Sequence, residues 1–126
     1  MGTMDQQILK MLYQWGGEAT KHTIEENLQI ILGQELVDLR AQGLIHNAGA
    51  SLALTCKGMQ AVEVANLVPT QAVVESQKAR EMVKRALKCV LEHDLTGYNV
   101  LMQETRKAFP ARYISAVERY YLLNLP

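Results

Sequence analysis

The sequence predicts a mainly helical chain in two parts: a small unit of short helices closed by a two-stranded β-hairpin, and a longer helical extension. Three observations predict it. Apolar residues recur at three- and four-residue spacing along most of the chain. Two short β-prone runs, Leu44 to Asn47 and Ser51 to Leu54, flank the hairpin-sized gap Ala48-Gly49-Ala50. After Pro69, a long amphipathic stretch runs to Asp94 without a glycine or proline.

Taken in order, Met4 to Trp15 is predicted as the first helix. Ile8, Leu9 and Leu12 lie on one face, Asp5 sits near the positive end of the helix dipole, and Gly16-Gly17 ends the run. Trp15 is expected in the core. Thr20 can cap a second short helix carrying Ile24 and Leu28, and Thr23 with Glu26 offers an overlapping capping box. Gly33 interrupts, and Leu36 and Leu39, with Leu32 just before the break, line a third helix that Gln42-Gly43 closes. The face bearing Ile8, Leu9 and Leu12 should cover this leucine stripe. The hairpin follows, then Thr55 as the cap of a fourth helix reaching Leu67, apolar on more than one side and therefore expected between layers.

Pro69 marks a boundary because the residue before a proline is pushed out of the helical region. Residues 1–68 form the first domain of this division and 69–126 the extension. Within Thr70 to Asp94, Ala79, Met82, Val83, Ala86, Leu87, Val90 and Leu91 fall on one side; Gln77, Arg80, Lys84 and Lys88 fall on the other. A helix of roughly 37 Å needs a partner along its apolar side, at about 1.5 Å per residue. A two-fold contact with a second copy is the expectation, made through Met82, Val83, Leu87, Val90 and Leu91. Thr96-Gly97 predicts a break and restart, followed by helices over Tyr98 to Phe109 and Pro110 to Leu123. Tyr113, Tyr120 and Tyr121 join the expected interface, since tyrosine combines a large apolar body with a polar tip; closing the C-terminal core is the other use of them.

The order of helix pair, hairpin and helix between Thr20 and Gly58 is the pattern of a winged helix-turn-helix. The segments LRAQGLI and, after the hairpin, LALTCKG resemble those of winged-helix regulators of the MarR-like and PadR-like kind, over roughly residues 5 to 68. That resemblance implies double-stranded DNA as partner, with the third helix in the major groove and the hairpin against phosphate or the minor groove. By position, Gln34, Val37, Asp38 and Ala41 would face the groove with Arg40 beside them, and Asn47 to Ser51 would form the wing tip. Lys21, at the start of the preceding helix, completes the implied DNA-binding set.

Charge runs against the implied role. Phosphate neutralisation by Lys and Arg supplies much of DNA affinity, yet the third helix carries Glu35 and Asp38 against Arg40, and the wing tip has no basic residue. Residues 1–68 hold four basic against seven acidic side chains, so the excess of positive charge lies in the extension. Two accounts follow. DNA is also tracked by Arg80, Lys84 and Lys88 with Lys78 and Arg85 beside them, or the acidic helix and the tyrosine-bearing tail bind another protein instead. In the second account Glu81–Arg85 and Lys88–Glu92 are surface pairs.

No nucleophile–base arrangement, phosphate loop or carboxylate pair appears around His22, His46 or His93, which argues against an enzyme. Cys56 and Cys89 form neither a disulfide framework nor metal-ligand spacing, and are expected as packed thiols; no cofactor is implied. No stretch reads as a membrane span or an export signal, so the expected location is the cytoplasm. Expected partners are a second copy, duplex DNA or another protein.

Overall fold

Seven helices and three short strands follow one another through residues 3–124, the part that the computed structural model describes. They are α1 (Thr3–Gln14), β1 (Glu18–Thr20), α2 (Lys21–Leu28), α3 (Gln34–Ala41), β2 (Ile45–Ala48), β3 (Ser51–Leu54), α4 (Cys56–Val64), α5 (Thr70–Leu91), α6 (Leu95–Ala108) and α7 (Ala111–Asn124). The architecture is mainly helical with one small antiparallel sheet. The strand order is β1-β3-β2, so β3 is central.

The third strand, β1, is an addition to the two predicted. Glu18 pairs with Ala53, Ala19 with Leu52 and Thr20 with Ser51. The β2–β3 register pairs Ala48 with Ser51, which draws Ala48 into the strand and leaves the two-residue turn Gly49-Ala50. Gly49 has φ +63 and Ala50 does not share it, the requirement of a hairpin turn with glycine first.

Local signals act where the sequence placed them. The Thr20 hydroxyl accepts the Thr23 N–H at 3.1 Å, and the Thr55 hydroxyl accepts the Gly58 N–H at 3.0 Å, each satisfying a donor that the helix start leaves open. Gly58 has a second reason to be glycine, because a Cβ there would overlap the Leu44 carbonyl oxygen. Ile8, Leu9 and Leu12 share one buried cluster with Leu32, Leu36 and Leu39, as the leucine stripe requires.

Three boundaries differ from the sequence reading. The long helix stops at Leu91, not Asp94: His93 takes the left-handed conformation at φ +59, and the Asp94 carboxylate accepts the Gly97 N–H at 2.9 Å as the cap of α6. Thr96-Gly97 therefore lies in the first turn of α6 and breaks nothing. α4 ends at Val64, and Asn66 at φ +53 turns the chain toward Pro69.

α5 packs on α6 and α7 of its own chain. Ala79, Val83 and Ala86 are fully buried there with Met102, Ile114 and Val117. This corrects the assignment of Val83 to a contact between copies. α7 then returns to the first half of the chain: Tyr120 is buried in the cluster that holds Ile8 and Leu39, and the Arg119 guanidinium meets Glu18 at 2.8 Å. Gly16, at φ +90, lets this return happen, since a side chain there would press on the Ala116 Cβ and the Tyr113 carbonyl at 3.0 Å. Half-buried at the junction, Glu63 of α4 accepts both the Tyr13 hydroxyl of α1, at 2.7 Å, and the Arg80 guanidinium of α5.

Candidate nucleic-acid interface

α3 buries Leu36 and Leu39 and turns the intervening positions outward, as its 3.6-residue period demands. Gln34, Val37, Asp38, Arg40 and Ala41 are all exposed. The helix follows a five-residue connection whose backbone is tied down by α2: the Leu32 N–H donates to the Glu25 carboxylate at 2.7 Å. Glu35 folds back to accept the Gly33 N–H, which holds its carboxyl below the usual glutamate range. Its charge therefore serves the N-terminal end of α3, where the dipole favours an anion.

The hairpin stands against the other end. Arg40 donates through Nε to the Leu36 carbonyl at 3.2 Å and through Nη1 to the Asn47 side-chain oxygen at 3.1 Å, so it braces α3 against β2. Lys57, from α4, donates to the Gln42 carbonyl at 2.8 Å and closes the C-terminal end of α3, where a cation is favoured. Lys21 is exposed at the first position of α2. Gln34 donates to Asp38 at 2.9 Å, which occupies both side chains along the helix.

The basic track along α5 is broken at its first member. Arg80, assigned to phosphate contact with Lys84 and Lys88, spends its charge on Glu63, with only 15% of its side chain exposed. Burial works against its charge and the Glu63 carboxylate restores it. Lys84 and Lys88 are exposed, and Lys88 approaches Glu92 to 4.0 Å, the predicted surface pair.

The expected interface between copies is likewise divided by the fold. Tyr120, like Val83, is covered by its own chain, which corrects that assignment too: its hydroxyl lies 3.4 Å from the Cys56 sulfur. Met82, Leu87, Tyr113 and Tyr121 are half-buried, the last three against the cluster shared by α5, α6 and α7. Val90 and Leu91 remain open, and Leu95 at the start of α6 extends that edge. Cys56 is exposed at the start of α4, where a packed thiol was expected, and Trp15 is half-buried with the Arg112 guanidinium 3.7 Å above its ring.

Two contributors escaped the sequence reading. Ile31, in the connection before α3, is 91% exposed, an open aliphatic like Val37 of the helix. Nothing in an isolated aliphatic residue between two helices distinguishes that position from the buried Leu32 beside it. Arg40 was noted as charge, but its brace to Asn47 depends on the hairpin folding back by seven residues.

Among the described residues, no group of three His, Cys, Asp or Glu side chains is placed to hold a metal ion, and no helix is long and apolar enough to cross a membrane. Compared with protein-family models, with curated proteins and with solved structures, the chain matches none.

Proposed function

We propose that residues 3–68 form a winged helix-turn-helix and that the protein binds duplex DNA through α3 and the β2–β3 hairpin, as a homodimeric regulator. The observation that carries this is the outward row Gln34, Val37, Asp38 and Ala41, exposed on a helix that Arg40 braces against the hairpin. A braced helix with short side chains can approach a groove closely. The Gln34 amide can pair with an adenine edge once it leaves Asp38, and the Val37 and Ala41 methyls suit thymine methyl groups. Phosphate contacts fall to the exposed Lys21 and to Lys57 once it leaves the Gln42 carbonyl, while Arg40 stays as the brace. Two contacts per copy give a log–log salt slope of about −2, so one copy binds weakly and two copies are needed for a stable complex. The second copy would meet this one along Val90, Leu91 and Leu95, the part of the apolar edge that the chain leaves open.

A second reading is supported by a specific observation. Ile31 and Val37 are exposed aliphatics, Val37 next to the acid Asp38 in the chain, and Arg40 is turned away to Asn47. Such a face suits docking of another protein carrying apolar and basic groups.

The test is fluorescence anisotropy of the full chain on pooled random duplexes at low salt, followed by selection of bound sequences. DNA binding predicts retention at about 50 mM salt, loss on Lys21→Glu, and altered sequence preference on Gln34→Ala. Absence of binding at that salt removes the first reading and leaves the protein-docking face. Sedimentation addresses the dimer: Leu91→Glu should shift any dimer to monomer, and a wild-type monomer at micromolar concentration rejects it.

A further inference from the structure

The chain's single tryptophan and single phenylalanine are both only half-buried, and each lines one of two adjoining hollows. Trp15 borders a hollow of about 350 Å³ with Lys10 and Gln14 of α1 and Asn27 of α2. Phe109 borders one of about 520 Å³ between α5 and the corner that joins α6 to α7. Gln14 lines both, and the Arg112 guanidinium, which lines the second, lies 3.7 Å over the Trp15 ring of the first. On α5 the lining residues Gln71, Val74, Glu75 and Lys78 fall on one stripe by their helical spacing. At the corner, the Phe109 and Tyr113 rings stack with centroids 5.5 Å apart.

The charge of this trough is one-sided. Lys10, Lys78 and Arg112 are exposed, and none takes an ion pair among the described residues. Glu75 is the one acid that lines the two hollows, and it accepts the Gln71 amide at 3.3 Å. Glu18 lies in a third hollow that Trp15 and Arg112 also line, but it is 15% exposed and already meets Arg119 at 2.8 Å. Unpaired cations answer phosphates, aromatic rings and a guanidinium plane answer base faces, and the amides of Gln14, Gln71 and Asn27 answer base edges. A duplex keeps its base faces stacked inside, and an acidic peptide offers the rings nothing planar to match each charge.

We propose that this trough binds a single strand of nucleic acid, with phosphates at Lys10, Lys78 and Arg112 and bases against Trp15, Phe109 and the Arg112 plane. The trough uses no side chain of α3 or of the hairpin. Homopolymer strands that form no duplex test it alone, so its failure and that of the duplex reading are separate results.

Labelled oligothymidine and oligouridine of about twelve nucleotides, within the usual site size, are titrated with the full chain at about 50 mM salt. Anisotropy reports binding, and emission of the only tryptophan reports the trough. At least one strand should bind saturably and quench Trp15, and the tighter of the two names the sugar. Three phosphates at about 0.7 each predict a log–log salt slope of about −2. An abasic strand of equal charge should bind at least about tenfold more weakly, because the stacking is gone. Lys10→Glu combined with Lys78→Glu should weaken binding more than about tenfold at an unchanged melting temperature, since both side chains are exposed. Arg112→Lys keeps the charge, removes the plane and should cost about threefold. Absence of binding to both strands at that salt, equal affinity for the abasic strand, equal competition by polyglutamate, or unchanged affinity in the double variant would each overturn the proposal.

Discussion

The two buried clusters of this chain are built from different materials. The first, shared by α1 to α4 and the sheet, is made of large aliphatic side chains such as Ile8, Leu9, Leu12, Leu39 and Leu54, packed between helices and strands. The second, inside α5 to α7, centres on Ala79, Val83 and Ala86 with Met102, Ile114 and Val117. Small residues along α5 let two helices lie close on it, which is how a helix of 22 residues buries Ala79, Val83 and Ala86 within its own chain. Large residues fill the wider space between a sheet and a helix layer. The difference teaches that amphipathicity alone does not announce an interface. The size of the apolar residues says how close the covering element must come, and alanine at two of three positions calls for a near neighbour.

Three measurements sharpen or break that contrast. The largest effect is expected in the cores themselves. Leu39→Ala should cost about 3 kcal/mol and Val83→Ala about 2, because the first leaves the larger cavity. Both should move one and the same thermal transition. Separate transitions in calorimetry would mean that the clusters belong to independently folding units and that the return of α7 contributes little.

The seam between the clusters gives the second effect. Burial pushes the Tyr13 phenol from its ordinary 10.0 up to about 12, so the folded protein favours the neutral form. A group with a raised folded pKa contributes fully below the unfolded value and loses that contribution as pH climbs to the folded one. Stability should therefore fall between pH 10 and 12, by about 2 kcal/mol for this residue alone. Tyr113, Tyr120 and Tyr121 are shifted the same way by burial and add to the fall. Urea unfolding across that range should show a smaller loss in Tyr13→Phe; an unchanged loss would assign the effect to the other three.

The smallest effect belongs to the surface of α5. Lys88 and Glu92 are 74% and 61% exposed at 4.0 Å, so Lys88→Ala should change stability by less than about 0.5 kcal/mol. A larger change would mean that the outer side of α5 is as structured as its inner side.

Much of the fold was legible because its signals are local. Thr20 and Thr55 cap helices three residues from the N–H groups they accept, and Gly49 permits a turn between adjacent strands. What escaped depends on partners far along the chain. β1 is three residues long, too short to show alternation, and exists because Ala53 and its neighbours arrive beside it. Arg80 sits on the polar side of its helix by spacing alone, and only the position of Glu63 turns it inward. The outward row of α3 was legible from periodicity, whereas the ion pair that ties α7 to β1 was not: Glu18 meets Arg119 across a hundred residues. Asp94 was misplaced for a subtler reason, since a carboxylate can end one helix or begin the next, and the left-handed turn at His93 decides between them.

The return of α7 also orders events in time. Ile8, Leu12 and Tyr13 are synthesised well before Tyr120, which belongs to their cluster and is translated more than a hundred residues later. At roughly 5–20 residues per second, the early helices wait for several seconds with part of their apolar surface uncovered. Over that interval the first cluster lacks the phenol that completes it.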